Sequence, residues 1–178
     1  MNVGLFADCY WPTRSGVVTS MVQLKEGLQA RGHRVVIGAV AHPGAREKSV
    51  DAHLFPSLPF NRASGFRLAV VTPGAVARFL AAERLDLVHT HTEFGIGWAA
   101  RCAARMAGLP LVHTCHTLYD AYRHYLPLGR HLPGALIRQY LRFFLSCHDL
   151  LICPSLKARS YYCLLYTSDA ADEEDSVD

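Results

Sequence analysis

The chain has 178 residues, 51% hydrophobic and 19% charged, with a formal net charge of +3. That is enough for one domain with a real core, but no apolar stretch approaches the roughly 20 residues of a membrane helix and no signal-peptide pattern opens it. Its six cysteines (Cys9, Cys102, Cys115, Cys147, Cys153, Cys163) form no Cys-x-x-Cys pair, and several sit in apolar contexts typical of buried thiols, so a reducing, cytoplasmic setting is expected.

Strand and helix signals alternate from the start. Val3 to Ala7 reads as a strand, followed by a loop holding Trp11, Pro12, Ser15 and Gly16. Val17, Met21, Leu24 and Leu28 recur with the spacing of a helix that buries one face, and Gly32 is expected to stop it at C′. Val35 to Val40 is a second strand, Ala41 to Asp51 a surface loop, and His53 to Pro56 a short third strand. Thr72 and Pro73 are a cap and a first helical residue leading into Val76, Phe79 and Leu80.

Leu85 to Val88 is the next strand, Ile96 to Ala107 an alanine-rich helix closed by Gly108, and Leu109 to Val112 a further strand. Leu132 to Cys147 reads as an amphipathic helix with Arg138 and Arg142 outward, Asp149 to Cys153 as a strand, and Pro154-Ser155 as a helix start. Strands separated by helices of this length imply βαβ units: an α/β, Rossmann-like parallel sheet with helices on both faces.

The end of the chain differs in character. All 18 lysines and arginines fall at or before Arg159, whereas six of the 15 acidic residues follow Cys163, so the body carries +9 and the tail −6. A solvated, disordered acidic terminus is one reading. The other is non-native sequence, because Cys163 to Asp178 resembles translated sequencing-adapter read-through. The expected division is a domain over 1–160 and a tail over 161–178.

Two histidine-rich segments carry the chemistry: His89-Thr-His91-Thr-Glu93-Phe-Gly95 and His113-Thr-Cys-His116-Thr-Leu-Tyr119-Asp120, each following an apolar run. If the two strands are parallel in one sheet, both clusters emerge at its carboxyl edge, where open α/β sheets bind ligands. A third signal is the loop Asp8 to Val17. Gly16 opening a helix lets phosphate oxygens approach backbone N–H groups at the positive end of the helix dipole; the alternative is a glycine that merely shapes a turn. Neither a Gly-x-Gly-x-x-Gly fingerprint nor a Gly-Lys-Ser/Thr loop is present, which excludes a standard dehydrogenase or ATPase reading.

The ordered motifs Phe6-x-Asp8-x-Tyr10-x-Pro12, Ser15-Gly16-Val17, His89-Thr-x-Thr92-Glu93-Phe94, His113-Thr-x-His116-Thr117 with Tyr119 and Tyr122, and Cys153-Pro154-Ser155 resemble the retaining glycosyltransferases of family 4, which have the two-domain GT-B fold, in particular those that glucosylate diacylglycerol. The likeness runs from Met1 to about Ser160. It implies that this half binds the acceptor while a second Rossmann domain, not in this sequence, holds most of a UDP- or GDP-hexose donor. It also implies no separate cofactor and no metal, and a chain inactive alone. Residue by residue, it places Ser15 and Gly16 at the donor diphosphate and His116 beside the transferring sugar, stabilising charge in an oxocarbenium-like transition state. Asp8, Tyr10, Glu93, Tyr119 and Tyr122 lie in the matching loops as acceptor-binding candidates.

Three other readings stand beside it. His89 and His113 can be satisfied structural histidines. His89, His91, His113 and His116, with Glu93, have the atoms of a zinc or manganese hydrolase site. A single Rossmann module could also bind a nucleotide without catalysis. Arg123, His124, Arg130, His131, Arg138 and Arg142 around Leu136, Tyr140 and Phe143 suggest reversible association with an anionic membrane surface at the inner face of the cell membrane, or else an ordinary solvated helix face. No nucleic-acid module is present.

Overall fold

Nearly unbroken burial along Asn2–Ala7 marks a strand covered on both faces, and it lies near the middle of the sheet. The structure, a computed structural model, describes residues 1–43, 52–61, 66–119 and 133–167. In chain order these form β1 (Asn2–Ala7), α1 (Gly16–Gln29), β2 (Arg34–Val40), β3 (Ala52–Phe55), β4 (Ser57–Asn61), β5 (Phe66–Ala69), α2 (Pro73–Ala82), β6 (Leu87–Thr90), α3 (Gly95–Ala107), β7 (Leu111–Thr114), α4 (Gly134–Leu145), β8 (Leu150–Ile152) and α5 (Leu156–Thr167).

Six strands make one sheet in the order β3-β2-β1-β6-β7-β8, every neighbouring pair parallel. The chain winds outward from β1 in one direction and from β6 in the other, so the topological switch point lies between them. Alternation along the strands sends Leu5, Ala7, Ile37 and Ala39 to the face covered by α1 through Val18 and Met21. Phe6, Val40, Val88 and Leu111 go to the opposite face, under α2 and α3. Helices therefore cover both faces, as the sequence implied. The alanines of α3 (Ala99, Ala100, Ala103, Ala104) are all buried and let that helix lie close to the sheet; a leucine there would overpack it by roughly 1–3 kcal/mol.

The α2 cap matches its sequence signal, Thr72 Oγ1 accepting the Ala75 N–H at 3.2 Å. Three boundaries move. The first helix ends at Gln29 with Ala30 as its cap, and Gly32, at φ +80, lies beyond it. The strands expected at 85–88 and 109–112 start two residues later. Arg84 and Gly108 both take left-handed φ and fold the chain back, Leu85 N–H onto Leu80 O and Leu109 N–H onto Ala104 O, each at 3.0 Å. Leu85 and Leu109 thus seal helix ends, and the strands run on through Thr90 and Thr114.

The antiparallel pair β4–β5 was not expected: Pro59 and the short, non-alternating segment conceal it. The surface loop placed at 41–51 falls mostly outside the described residues. The basic helix begins, among those residues, at Gly134. Its Ile137, Leu141, Phe144 and Leu145 are buried. Arg142, expected outward, turns its guanidinium to the Leu165 carbonyl of α5, while Leu136 and Phe143 are 51% and 61% exposed. The helix α5 crosses the boundary drawn at residue 160, with Tyr162 and Leu165 buried against α4.

Candidate active site

The carboxyl edge of β1, β6 and β7 carries the signals read from the sequence, but the strand shift divides them. The His91 N–H bonds Phe6 O at 2.8 Å, so the chain stays extended one residue past β6 and His89 and His91 point the same way. Their rings stack at 4.3 Å, and His116, arriving from β7, stacks on His91 at 5.3 Å. His89 Nε2 lies 2.7 Å from Thr114 Oγ1, and His91 Nδ1 lies 3.0 Å from His116 Nε2. This column is on the α1 side of the sheet, since Leu87, two residues before His89, packs there. Gly16, at the N-terminus of α1, belongs to the same side.

His113 faces the other way. Its Nδ1 is 2.8 Å from Thr90 Oγ1, which is also 3.1 Å from His148 Nε2, and its Nε2 is 3.3 Å from Glu93 Oε1. Tyr119 donates to Glu93 Oε2 at 2.6 Å, and Tyr140 donates to the Glu93 carbonyl. Trp98 Nε1 in turn donates to Tyr140 at 2.8 Å. Glu93 is 3% exposed, with both carboxylate oxygens engaged. The four histidines therefore do not converge on one point, and among the described residues no group of three His, Cys, Asp or Glu side chains could hold a metal ion. That geometry removes the support for the metal-hydrolase reading.

Burial sets the electrostatics. It lowers His89 to about 3 and His91 well below the usual imidazole value, with neighbouring histidines adding to the effect, and it lowers His116 as well. Burial likewise raises the Tyr119 phenol well above its ordinary value and Tyr140 to about 12. Asp8 is raised to about 6 by burial, against opposing hydrogen bonds. Its Oδ1 accepts the Ile96 N–H at 2.8 Å, and its Oδ2 accepts from Thr92 Oγ1 at 2.7 Å. Asp8 thus ties β1 to the first turn of α3, which has no side-chain cap of its own at Phe94. Gly97 completes this junction, because a Cβ there would meet Thr92 O at 1.8 Å.

Ser15 is the N-cap of α1, its Oγ accepting the Val18 N–H at 3.3 Å. Gly16 is exposed, has no positive φ, and a Cβ there would meet nothing within 4 Å. The backbone conformation does not require a glycine here, so a turn-shaping role finds no support. Tyr10 is buried, and Tyr122 lies outside the described residues. The sequence did not reveal Arg101, which is buried on α3 and donates to the Phe143 and Phe144 carbonyls and to Cys147 Sγ; nothing in the pattern marks it. His148 was also missed.

The family description "Glycosyltransferase Family 4" matches residues 14–172. The chain belongs to glycosyltransferase family 4. An alpha-monoglucosyldiacylglycerol synthase from Streptococcus pneumoniae is 35% identical over 156 residues, covering 87% of this chain and 35% of that protein. A protein of the same name from Acholeplasma laidlawii is 36% identical over 169 residues, covering 88% of this chain and 41% of that one. The chain thus spans well under half the length of these relatives. A crystal structure of a glycosyltransferase from Rickettsia africae superposes with a TM-score of 0.54 at 15% identity, covering 84% of this chain and 35% of that one; this likeness shows the fold alone. Within family 4, this chain presents one Rossmann-like unit whose open edge carries Gly16 and His116 on a single side.

Proposed function

We propose that this domain is the acceptor-side half of a retaining glycosyltransferase that moves a hexose from a UDP- or GDP-sugar to a lipid hydroxyl such as that of diacylglycerol. The observation that carries the reading is the common edge of Gly16 and His116. One lies at the positive end of a helix that has no acidic residue in its first turn, with nothing within 4 Å of where a Cβ would stand. The other offers a partly buried imidazole two residues past β7 on the same side of the sheet. A diphosphate at the first and the sugar's reacting carbon near the second fit a cleft closed by another domain, in which excluded water strengthens each contact. The names of the two relatives support glucose and diacylglycerol as the substrates to try first. The exposed Leu136 and Phe143 of α4 support a peripheral lipid contact, and no helix among the described residues is long and apolar enough to cross a membrane.

The test uses a longer protein carrying this domain followed by a second Rossmann domain, with UDP-glucose and diacylglycerol. His116→Ala is expected to lower kcat by roughly a hundredfold or more with an unchanged circular dichroism spectrum. The 178-residue chain alone is expected to transfer nothing, because the reaction needs the closed cleft. Undiminished turnover in His116→Ala would remove that residue from the site.

A further inference from the structure

Resting on the transfer reading, we propose that His91 is the positioning residue of His116: its Nδ1–H donates to His116 Nε2 and holds His116 as the Nδ1–H tautomer, the N–H it offers to a sugar oxygen. The two nitrogens are 3.0 Å apart, and His91 is fixed on both sides. Its ring lies between His89, at 4.3 Å and 24°, and His116, at 5.3 Å and 26°. His89 is itself anchored to Thr114. The column therefore leaves the His91 ring little freedom to turn.

The direction of the hydrogen bond follows from an atom that bonds nothing. Burial keeps both rings neutral, so each carries one proton, and a bond between two ring nitrogens needs one donor and one bare acceptor. His91 Nε2 is buried and has no hydrogen-bond partner, in a residue only 1% exposed. If His116 donated, the His91 proton would sit on that Nε2 and be a buried N–H without an acceptor. If His91 donates, Nε2 is only an unused lone pair. Orphaned buried N–H groups are the rarer and costlier of the two, so the proton belongs on His91 Nδ1.

The consequence falls on His116. Its Nε2 is occupied, its proton is on Nδ1, and that nitrogen bonds no protein group among the described residues, in a side chain that is only partly buried. Such a ring donates to an oxygen on which negative charge grows and has no free lone pair with which to take a proton, so its role is electrostatic rather than basic.

Nitrogen-15 imidazole spectra of the 178-residue chain read this directly. In the wild type, the bare-nitrogen shift of His116 is expected at Nε2 and the N–H shift at Nδ1. His91→Phe keeps a ring in the stack and removes the donor, so the two His116 shifts should exchange places; His91→Asn, with an amide N–H near the old Nδ1, should restore the original pattern. A wild-type His116 protonated on Nε2 overturns the proposal even if the Phe variant fails to fold. So does an unchanged His116 pattern in a folded His91→Phe protein. These spectra involve no sugar transfer, so loss of the transfer reading through His116→Ala and loss of this assignment are separate results.

Discussion

Burial of neutral histidines makes this fold acid-labile, and His89 shows by how much. Its folded pKa is about 3 against an ordinary value of 6.5. Between those values the unfolded chain binds a proton that the folded one does not, so its contribution is fully present above 6.5 and is lost as pH falls toward 3. Over the whole window the loss is about 5 kcal/mol, and at pH 5 about 2 kcal/mol. His148, also lowered to about 3 by burial, adds a similar loss. Asp8 opposes both. Its folded value of about 6 exceeds 3.8, so its ionised form costs about 3 kcal/mol at pH 7 and between 1 and 2 kcal/mol at pH 5, giving back about 1 kcal/mol on acidification. These three groups together give a loss of about 3 kcal/mol from pH 7 to pH 5, a large part of the 5–15 kcal/mol typical of a domain, and His91 and His116, also lowered by burial, add to it. Urea melts at the two pH values measure it. In His89→Gln, whose amide can still reach Thr114, about 2 kcal/mol of the loss should disappear; an equal pH 7 to pH 5 difference in wild type and variant would refute the argument.

Asp8→Asn should stabilise the fold by up to about 3 kcal/mol at pH 7 and by less at pH 5, since the amide retains an oxygen for the Ile96 N–H; a variant less stable than wild type at pH 7 would reject the assigned cost of the buried carboxylate. Gly16→Ala should leave stability unchanged or raise it by up to about 1 kcal/mol, yet weaken nucleotide-sugar binding in the longer protein, read as a raised donor KM; unaltered KM would remove Gly16 from the donor site. In liposome sedimentation, the chain should pellet more with anionic lipid than with neutral lipid, and Leu136→Ser/Phe143→Ser should reduce both fractions; equal pelleting in the two lipids would reject the electrostatic part.

The parallel sheet was legible because its strands are short apolar runs separated by helices of readable periodicity, α1 and α2 carrying side-chain caps at Ser15 and Thr72. Strand boundaries were less legible because Leu85 and Leu109, apolar and next to strands, belong to left-handed helix closures; Gly108 marks one of these, but Arg84 gives no sign of the other. That two-residue shift matters for the site. It turns His89 and His113 from edge residues into strand residues facing opposite sides, a split that neither cluster shows alone. His116 and Gly16 are candidates through their motifs, whereas the bonds of Asp8 could not be read, since Thr92 and Ile96 are 84 and 88 residues away in the chain.

The internal bonding of the acidic residues bears on what this half can contribute to a reaction. Asp8 and Glu93 have their carboxylate oxygens held by Ile96, Thr92, Tyr119 and His113, and Tyr119 is itself buried. Truncating any of these side chains perturbs the junction of the β1 and β6 ends with α3, so a fall in turnover on its own says nothing about acceptor contact. Gly16 and His116 are different: among the described residues, one has open space where a Cβ would stand, the other a ring nitrogen, Nδ1, with no partner. Only at such positions can loss of function be separated from loss of structure, and for that reason the transfer reading is staked on Gly16 and His116 rather than on the more numerous polar residues packed behind them.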